Sequence, residues 1–248
     1  MIISKTREEL DIMREAGRIV ARVLQAMKAM AVPGVETAEL DQRAREIIKE
    51  AGAEPAFLGY RGFPASICTS INEELVHGIP GTRKLKEGDI LSVDAGARFR
   101  GYHGDAAVTL PVGKINKAAR RLVRVTEGAL EKAIEQMRIG NHLSDVSHAI
   151  QSYVESFGFS VVRNYVGHGI GTRMHEPPEV PNFGLPGRGP RLREGMVLAI
   201  EPMVNIGSWE VEVLADQWTV VTADRSLCAH FEHSVAITSA GPEILTLL

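Results

Sequence analysis

Residues 85–94 read LKEGDILSVD, and residues 192–201 read LREGMVLAIE. Leu85, Glu87, Gly88 and Leu91 recur as Leu192, Glu194, Gly195 and Leu198, a constant offset of 107 positions (192 less 85). A cation follows the first leucine of each copy, Lys86 or Arg193, and each copy ends in a carboxylate, Asp94 or Glu201. Self-similarity at a fixed period marks repeated architecture. One period that fits twice describes a duplicated domain, not a solenoid. The apolar run before each acid predicts a buried strand, and an acid ending such a strand is costly unless paired, hydrogen-bonded or bound to a cation. Two ends related by duplication can meet across an approximate two-fold axis, and chemistry is expected there.

Outward from the repeat, Leu10, Met13, Ala16, Ile19, Val20, Val23, Leu24, Met27 and Met30 step by three and four. They predict a long helix ending near Pro33-Gly34. Thr37 is the expected N-cap of a second helix carrying Leu40, Ala44, Ile47 and Ile48, stopped by Gly52. Leu122, Val125, Leu130, Ala133, Ile134 and Met137 describe a third helix ending at Gly140; Val146, Ile150, Tyr153, Val154 and Phe157 describe a fourth ending at Gly158. Gly34 and Gly52 map onto Gly140 and Gly158 at an offset of 106 (140 less 34), so the duplication covers helix, turn, helix and the later strand. Two helices followed by strands, twice over, predict an α+β fold in which helices cover one face of a curved, largely antiparallel sheet. One domain is expected over residues 1–248, with internal halves of about 1–115 and 116–248. A weaker echo links His77-Gly78-Ile79 to His168-Gly169-Ile170, and the stretch from Pro177 to Pro190 reads as a long surface loop.

The composition, 44% hydrophobic and 24% charged with net charge −3, is that of a soluble globular chain with no nucleic-acid footprint. The opening MIISKTREEL lacks a secretory pattern, and no apolar run approaches the ~20 residues of a membrane span. Two cysteines, Cys68 and Cys228, make no disulfide framework, so the cytoplasm is the expected location.

After Asp94, the run AGARFRGYHGDAAVTL has turn formers near Arg98 to Gly101 and reads as a hairpin. With its centre between Phe99 and Arg100, Asp94 faces Asp105. Like charges opposite each other repel, and a cation between them turns that cost into attraction. Glu232 shares a strand face with His230 and Ser234, and His168 lies among glycines that allow close backbone approach. Taken singly, a strand-end acid is usually solvated and a lone histidine usually structural. Together, Asp94, Asp105, His168, Glu201 and Glu232 form an oxygen-rich set with one nitrogen. Such a set suits two divalent ions of the Mn(II), Fe(II) or Co(II) type, with Zn(II) also allowed. The glycine spacing around His168 does not match a dinucleotide fingerprint, and no HExxH helix is present.

LSVDAGARFRGYHGDAA, NYVGHGIGTRMHEPPEV, LAIEPMV and AHFEHSVAIT resemble, in order, the signatures of type I methionine aminopeptidases, which have the duplicated pita-bread fold. The resemblance runs from the first helix to EILTL and fills all five metal positions. It implies that Asp94 binds one ion, His168 and Glu201 the other, and that Asp105 and Glu232 bridge them. It implies further that a hydroxide between the ions attacks the first peptide carbonyl. Glu201 would then shuttle the proton to the leaving amine, His175 would bind the carbonyl oxygen, and His77 would contact the adjoining peptide. Phe57, Tyr60, Phe63, Cys68, Met174 and Trp218 would line the methionine pocket. The chain departs from the family pattern at Phe57, often small; at Met174, often aromatic; and at Gly96, where some members carry a hydroxyl. The implied substrate is the N-terminus of a nascent polypeptide with a small second residue, met at the ribosome by a monomer that binds neither membrane nor nucleic acid directly. Two rivals are a proline-directed aminopeptidase and a catalytically silent homologue that binds RNA or protein. The first usually needs a further N-terminal domain, and the second should have lost metal ligands.

Overall fold

The computed structural model describes residues 2–248 and contains four long helices, α1 (Arg7–Met30), α2 (Thr37–Glu50), α3 (Lys117–Glu135) and α4 (Leu143–Ser156). Helix α1 starts at a capping box: Thr6 Oγ1 accepts from Glu9 N, and the Glu9 carboxylate accepts from Thr6 N at 2.7 Å. For α2 the cap differs from expectation. Glu36 is the N-cap and Thr37 is the first helical residue, because the Thr37 hydroxyl is committed to Gly81, accepting from its N–H at 2.8 Å. Helix α3 stops at Glu135, short of Gly140, and Met137 is buried in the turn beyond it. No helix among the described residues is long and apolar enough to cross a membrane.

Each repeated decapeptide leads into a strand, Ile90–Phe99 in the first copy and Val197–Ile200 in the second. These flank a central antiparallel pair, Tyr102–Pro111 and Glu232–Thr238, so the middle of the sheet is symmetric about the line between that pair. Ile67–Ile71 pairs with the first flanking strand; Gly167–Gly169 and then Glu176–Val180 extend the sheet beyond the second. Successive side chains alternate faces. Leu91, Val93, Ala95, Ala97 and Ala106 therefore pack under α1 and α2, while Leu198, Ile200, Val235 and Ile237 pack with α3 and α4. Helix α1 lies very close to the sheet: a Cβ at Gly104 would sit 2.8 Å from Gly17 N.

Three sequence expectations change. The hairpin turns at Arg100-Gly101, both with positive φ (47° and 85°), so Phe99 pairs with Tyr102, Asp94 with Ala107 and Asp105 with Gly96. Two-residue hairpin loops favour such backbones because their twist matches the strands. The shift moves each partner by two places, which preserves the face, and the carboxylates become diagonal neighbours instead of direct ones. The stretch after Pro177 begins as a strand, not a loop; its paired prolines lack N–H groups and lie on the outermost strand of the sheet, where fewer donors are needed. Finally, the HGI echo marks no structural equivalence. His168 lies in the main sheet, whereas His77 follows a strand, Glu74–Val76, of a separate three-stranded sheet.

Candidate metal centre and active site

On the face away from the helices, the register assembles two adjacent rungs. Asp94 and Glu232 each pair with Ala107, and Glu201 follows Ile200, the partner of His233. The first rung thus runs Asp94, Ala107, Glu232, Glu201. In the second, Gly96 pairs with Asp105, Asp105 is hydrogen-bonded to the Ser234 hydroxyl, Ser234 pairs with Ala199, and Ala199 with His168. Directly paired residues share a face and residues two apart repeat it. All five candidate ligands therefore project to one side, and Gly96, Ala107, Ala199 and Ser234 between them are small enough to leave room.

Ligand atoms of Asp105, His168 and Glu232 lie within 4.8 Å of one another. His168 Nε2 is 3.7 Å from Asp105 Oδ2 and 3.7 Å from Glu201 Oε1, and Asp94 lines the same cavity. The electrostatics are unfavourable as they stand. Burial pushes the Asp94 carboxyl up to about 7. Burial, then repulsion from neighbouring carboxylates, drives Asp105, Glu201 and Glu232 well above the ordinary range. Burial also lowers His168 to about 4, and desolvation, helped by His168 and Arg61, lowers His175 to about 3 although that ring keeps contact with solvent.

These residues fit a divalent ion. His168 Nδ1 lies 2.9 Å from the Gly169 carbonyl and can only donate to it, so the neutral ring turns its Nε2 lone pair toward the carboxylates. Asp94 Oδ1, Asp105 Oδ1 and Glu232 Oε1 are buried without hydrogen-bond partners. Lone pairs converge from several sides and no N–H or O–H answers them. A cation satisfies them all.

The acids and His168 line a cavity of about 140 Å³ whose other walls include Phe57, Tyr60, Phe63, Cys68, His77, His175 and Trp218. The first-half loop between α2 and Ile67–Ile71 supplies Phe57, Tyr60 and Phe63; Phe63 meets Trp218 edge-on at 5.1 Å. His175 lies against His168, ring centroids 4.1 Å apart, and its Nδ1 is 2.9 Å from Tyr60 Oη. His77 has φ of 61°, a conformation that non-glycine residues adopt rarely and often at functional sites. Met174 is not on the wall. It packs with Phe57 over Gly96, where a Cβ would lie 2.7 Å from Phe57 Cε1 and 3.0 Å from Met174 Cε. The three departures from the family pattern are thus one packing unit.

Two residues of the site escaped the sequence reading. Arg61 lines the cavity and stacks over the Tyr60 ring at 5.4 Å; a cation in a loop gave no signal. His230 is fully buried with both ring nitrogens unpartnered, its Nε2 3.8 Å from Glu201 Oε2. Its place on the Glu232 face was the available clue.

A model of metallopeptidase family M24 matches residues 11–239. The chain belongs to the M24 metallopeptidases. Methionine aminopeptidase 1 of Bacillus subtilis is 59% identical over 246 residues, covering 99% of each chain. The crystal structure of methionine aminopeptidase from Thermotoga maritima superposes with a TM-score of 0.99 at 51% identity, covering 100% of both chains. Prolidase from Pyrococcus furiosus, 23% identical, shares the fold with a TM-score of 0.80 over 99% of this chain and 66% of its own. The architecture of this M24 chain is accordingly the pita-bread fold, a curled antiparallel sheet with helices on one face, as the motifs implied.

Proposed function

We propose that this M24 chain is a metal-dependent methionine aminopeptidase that removes the initiator methionine from nascent polypeptides with a small second residue. The observation that carries the reading is the junction of an apolar cavity with a double rung of unpartnered carboxylates. One end suits a linear apolar side chain, and the other suits cations beside the peptide bond that follows it. Asp94 would hold one ion, His168 and Glu201 the other, with Asp105 and Glu232 shared. Two Co(II), Mn(II) or Fe(II) ions there, or Zn(II), would supply hydroxide at neutral pH and polarise the peptide carbonyl.

The protein's own groups do the rest. Phe57, Tyr60, Phe63, Cys68 and Trp218 enclose the methionine side chain, and Met174 backs Phe57. The Tyr60 hydroxyl donates to His175 Nδ1, which leaves an N–H on Nε2 to donate to the carbonyl oxygen as charge develops on it. Glu201 carries a proton to the departing amine. His77 contacts the peptide beyond the scissile bond. We assign the chain to the cytoplasm, as a monomer acting near the ribosome without contacting membrane.

The test pairs metal analysis of protein purified without added metal with cleavage of Met-Ala-Ser and Ala-Pro-Ser peptides. Metal-dependent release of methionine, with Ala-Pro-Ser untouched, is expected. Faster cleavage of Ala-Pro-Ser would assign the proline-directed activity instead. Full activity in chelator would overturn the metal assignment.

A further inference from the structure

The segment preceding α1 makes a contact that neither decapeptide nor the metal centre accounts for. Lys5 is the one lysine or arginine buried among the described residues. Its ammonium donates to Glu176 Oε2 at 2.8 Å, with the two side chains only 4% and 2% exposed. Lys5 N donates to the carbonyl of Gly195, in the turn of the second decapeptide, at 2.7 Å. The other Glu176 oxygen accepts from Arg173 N at 3.1 Å and from the Thr172 hydroxyl at 3.3 Å. At the start of the same loop, the Gly171 carbonyl accepts from His103 N at 2.9 Å. A Cβ at Gly171 would lie 2.5 Å from Lys5 Cε, so lysine stem and loop are in close contact. That loop, Gly171 to His175, ends on the histidine facing the carboxylates.

A buried ion pair is a weak source of stability, because well-packed apolar residues often do as well. What it does supply is a fixed arrangement. Glu176 gathers the loop with one oxygen while Lys5 grips the other, and the ammonium and the loop donors together hold it charged in that interior. We propose that Lys5 is a positioning residue for His175, acting across 171 positions of sequence through Glu176. The proposal rests on the reading that His175 donates to the peptide carbonyl.

The test uses the full-length, metal-loaded enzyme. Lys5→Met should lower kcat for Met-Ala-Ser by roughly tenfold, within the 10–100-fold range for residues that orient ligands. KM and metal content should stay within twofold. In a His175→Ala background the same change should have less than a twofold effect, because the group it positions is gone. An equal loss in both backgrounds, or none in the first while His175→Ala itself is impaired, overturns the proposal. Should Lys5→Met fold poorly, the charge-free pair Lys5→Met/Glu176→Met should fold and still lose kcat, since nothing then holds Arg173 N; wild-type kcat in that pair overturns it too. Imidazole NMR of the metal-free protein reads the same geometry without turnover. Lys5→Met should shift the His175 signal and leave the distant His148 in place; an unmoved His175 overturns the proposal. A shifted signal with a silent His175→Ala would sink the carbonyl role of His175 and keep the positioning.

Discussion

The two halves of the sheet and the two sides of the cavity differ in an instructive way. Across the sheet the halves mirror each other: a repeated strand with an acid at the same repeat position, within the strand at Asp94 and just past it at Glu201, lies outside a central strand carrying another, Asp105 or Glu232. Around the cavity they do not. The first half contributes Phe57, Tyr60, Arg61 and Phe63 from one loop, with Cys68 and His77 from the strand region after it, and the second contributes His168, His175 and Trp218. Duplication supplies acids in pairs, while unlike loops supply apolar walls and histidines once.

Substitutions can break either half of that contrast. The largest effect belongs to the mirrored part. Asp105→Asn should lose metal and activity together, by more than the roughly 10²-fold that removing a residue behind a metal ligand costs; plasma emission on the purified protein and a peptide assay measure both. Retained activity without bound metal would refute the ligand set. On the unlike side, His175→Ala should lower kcat by roughly 10²-fold with little change in KM, because its hydrogen bond strengthens toward the transition state. Steady-state kinetics on Met-Ala-Ser decide it, and an unchanged kcat removes His175 from the role.

Smaller effects sharpen the contrast. Gly96→Ser should crowd Phe57 and Met174, costing about 1–3 kcal/mol of stability by overpacking and raising KM. Phe57→Ala in the same chain should recover part of both, a coupling that a double-mutant cycle reads. Additive effects would mean that the three departures are independent. The last is a pH effect. Asp94 keeps its proton up to about 7 in the folded, metal-free protein, whereas in the unfolded chain it loses it near the ordinary carboxylate value. The folded state therefore binds more protons between those values, and stability falls as pH rises through them. Metal-free protein should melt lower at about pH 7.5 than at about pH 5, and adding Mn(II) should raise the melting temperature at the higher pH and release protons. A melting temperature that rises across that interval would contradict the burial of Asp94.

What the sequence made legible follows the same division. Asp94 and Glu201 were readable because strand and turn recur intact. Asp105 and Glu232 were not readable as a pair: two residues turn the first hairpin, whereas Met203 to His230 intervene in the second, and the offset is lost. The hairpin partner of Asp94 was misplaced by two because Arg100 adopts a positive φ that no arginine announces. The cavity walls were legible only through family resemblance. Phe57, Phe63 and Cys68 carry no local pattern that separates a pocket from a core, and Arg61 carried none at all.

The tight turn at Arg100-Gly101 has a consequence for how the chain finds its alignment. A slip of one place would flip Asp105 toward α1 and bring Ala106 to the cavity. Burying a lone carboxylate in that apolar interior is costly, so the slipped register is disfavoured. The same acids that crowd the candidate metal site therefore also penalise the wrong register.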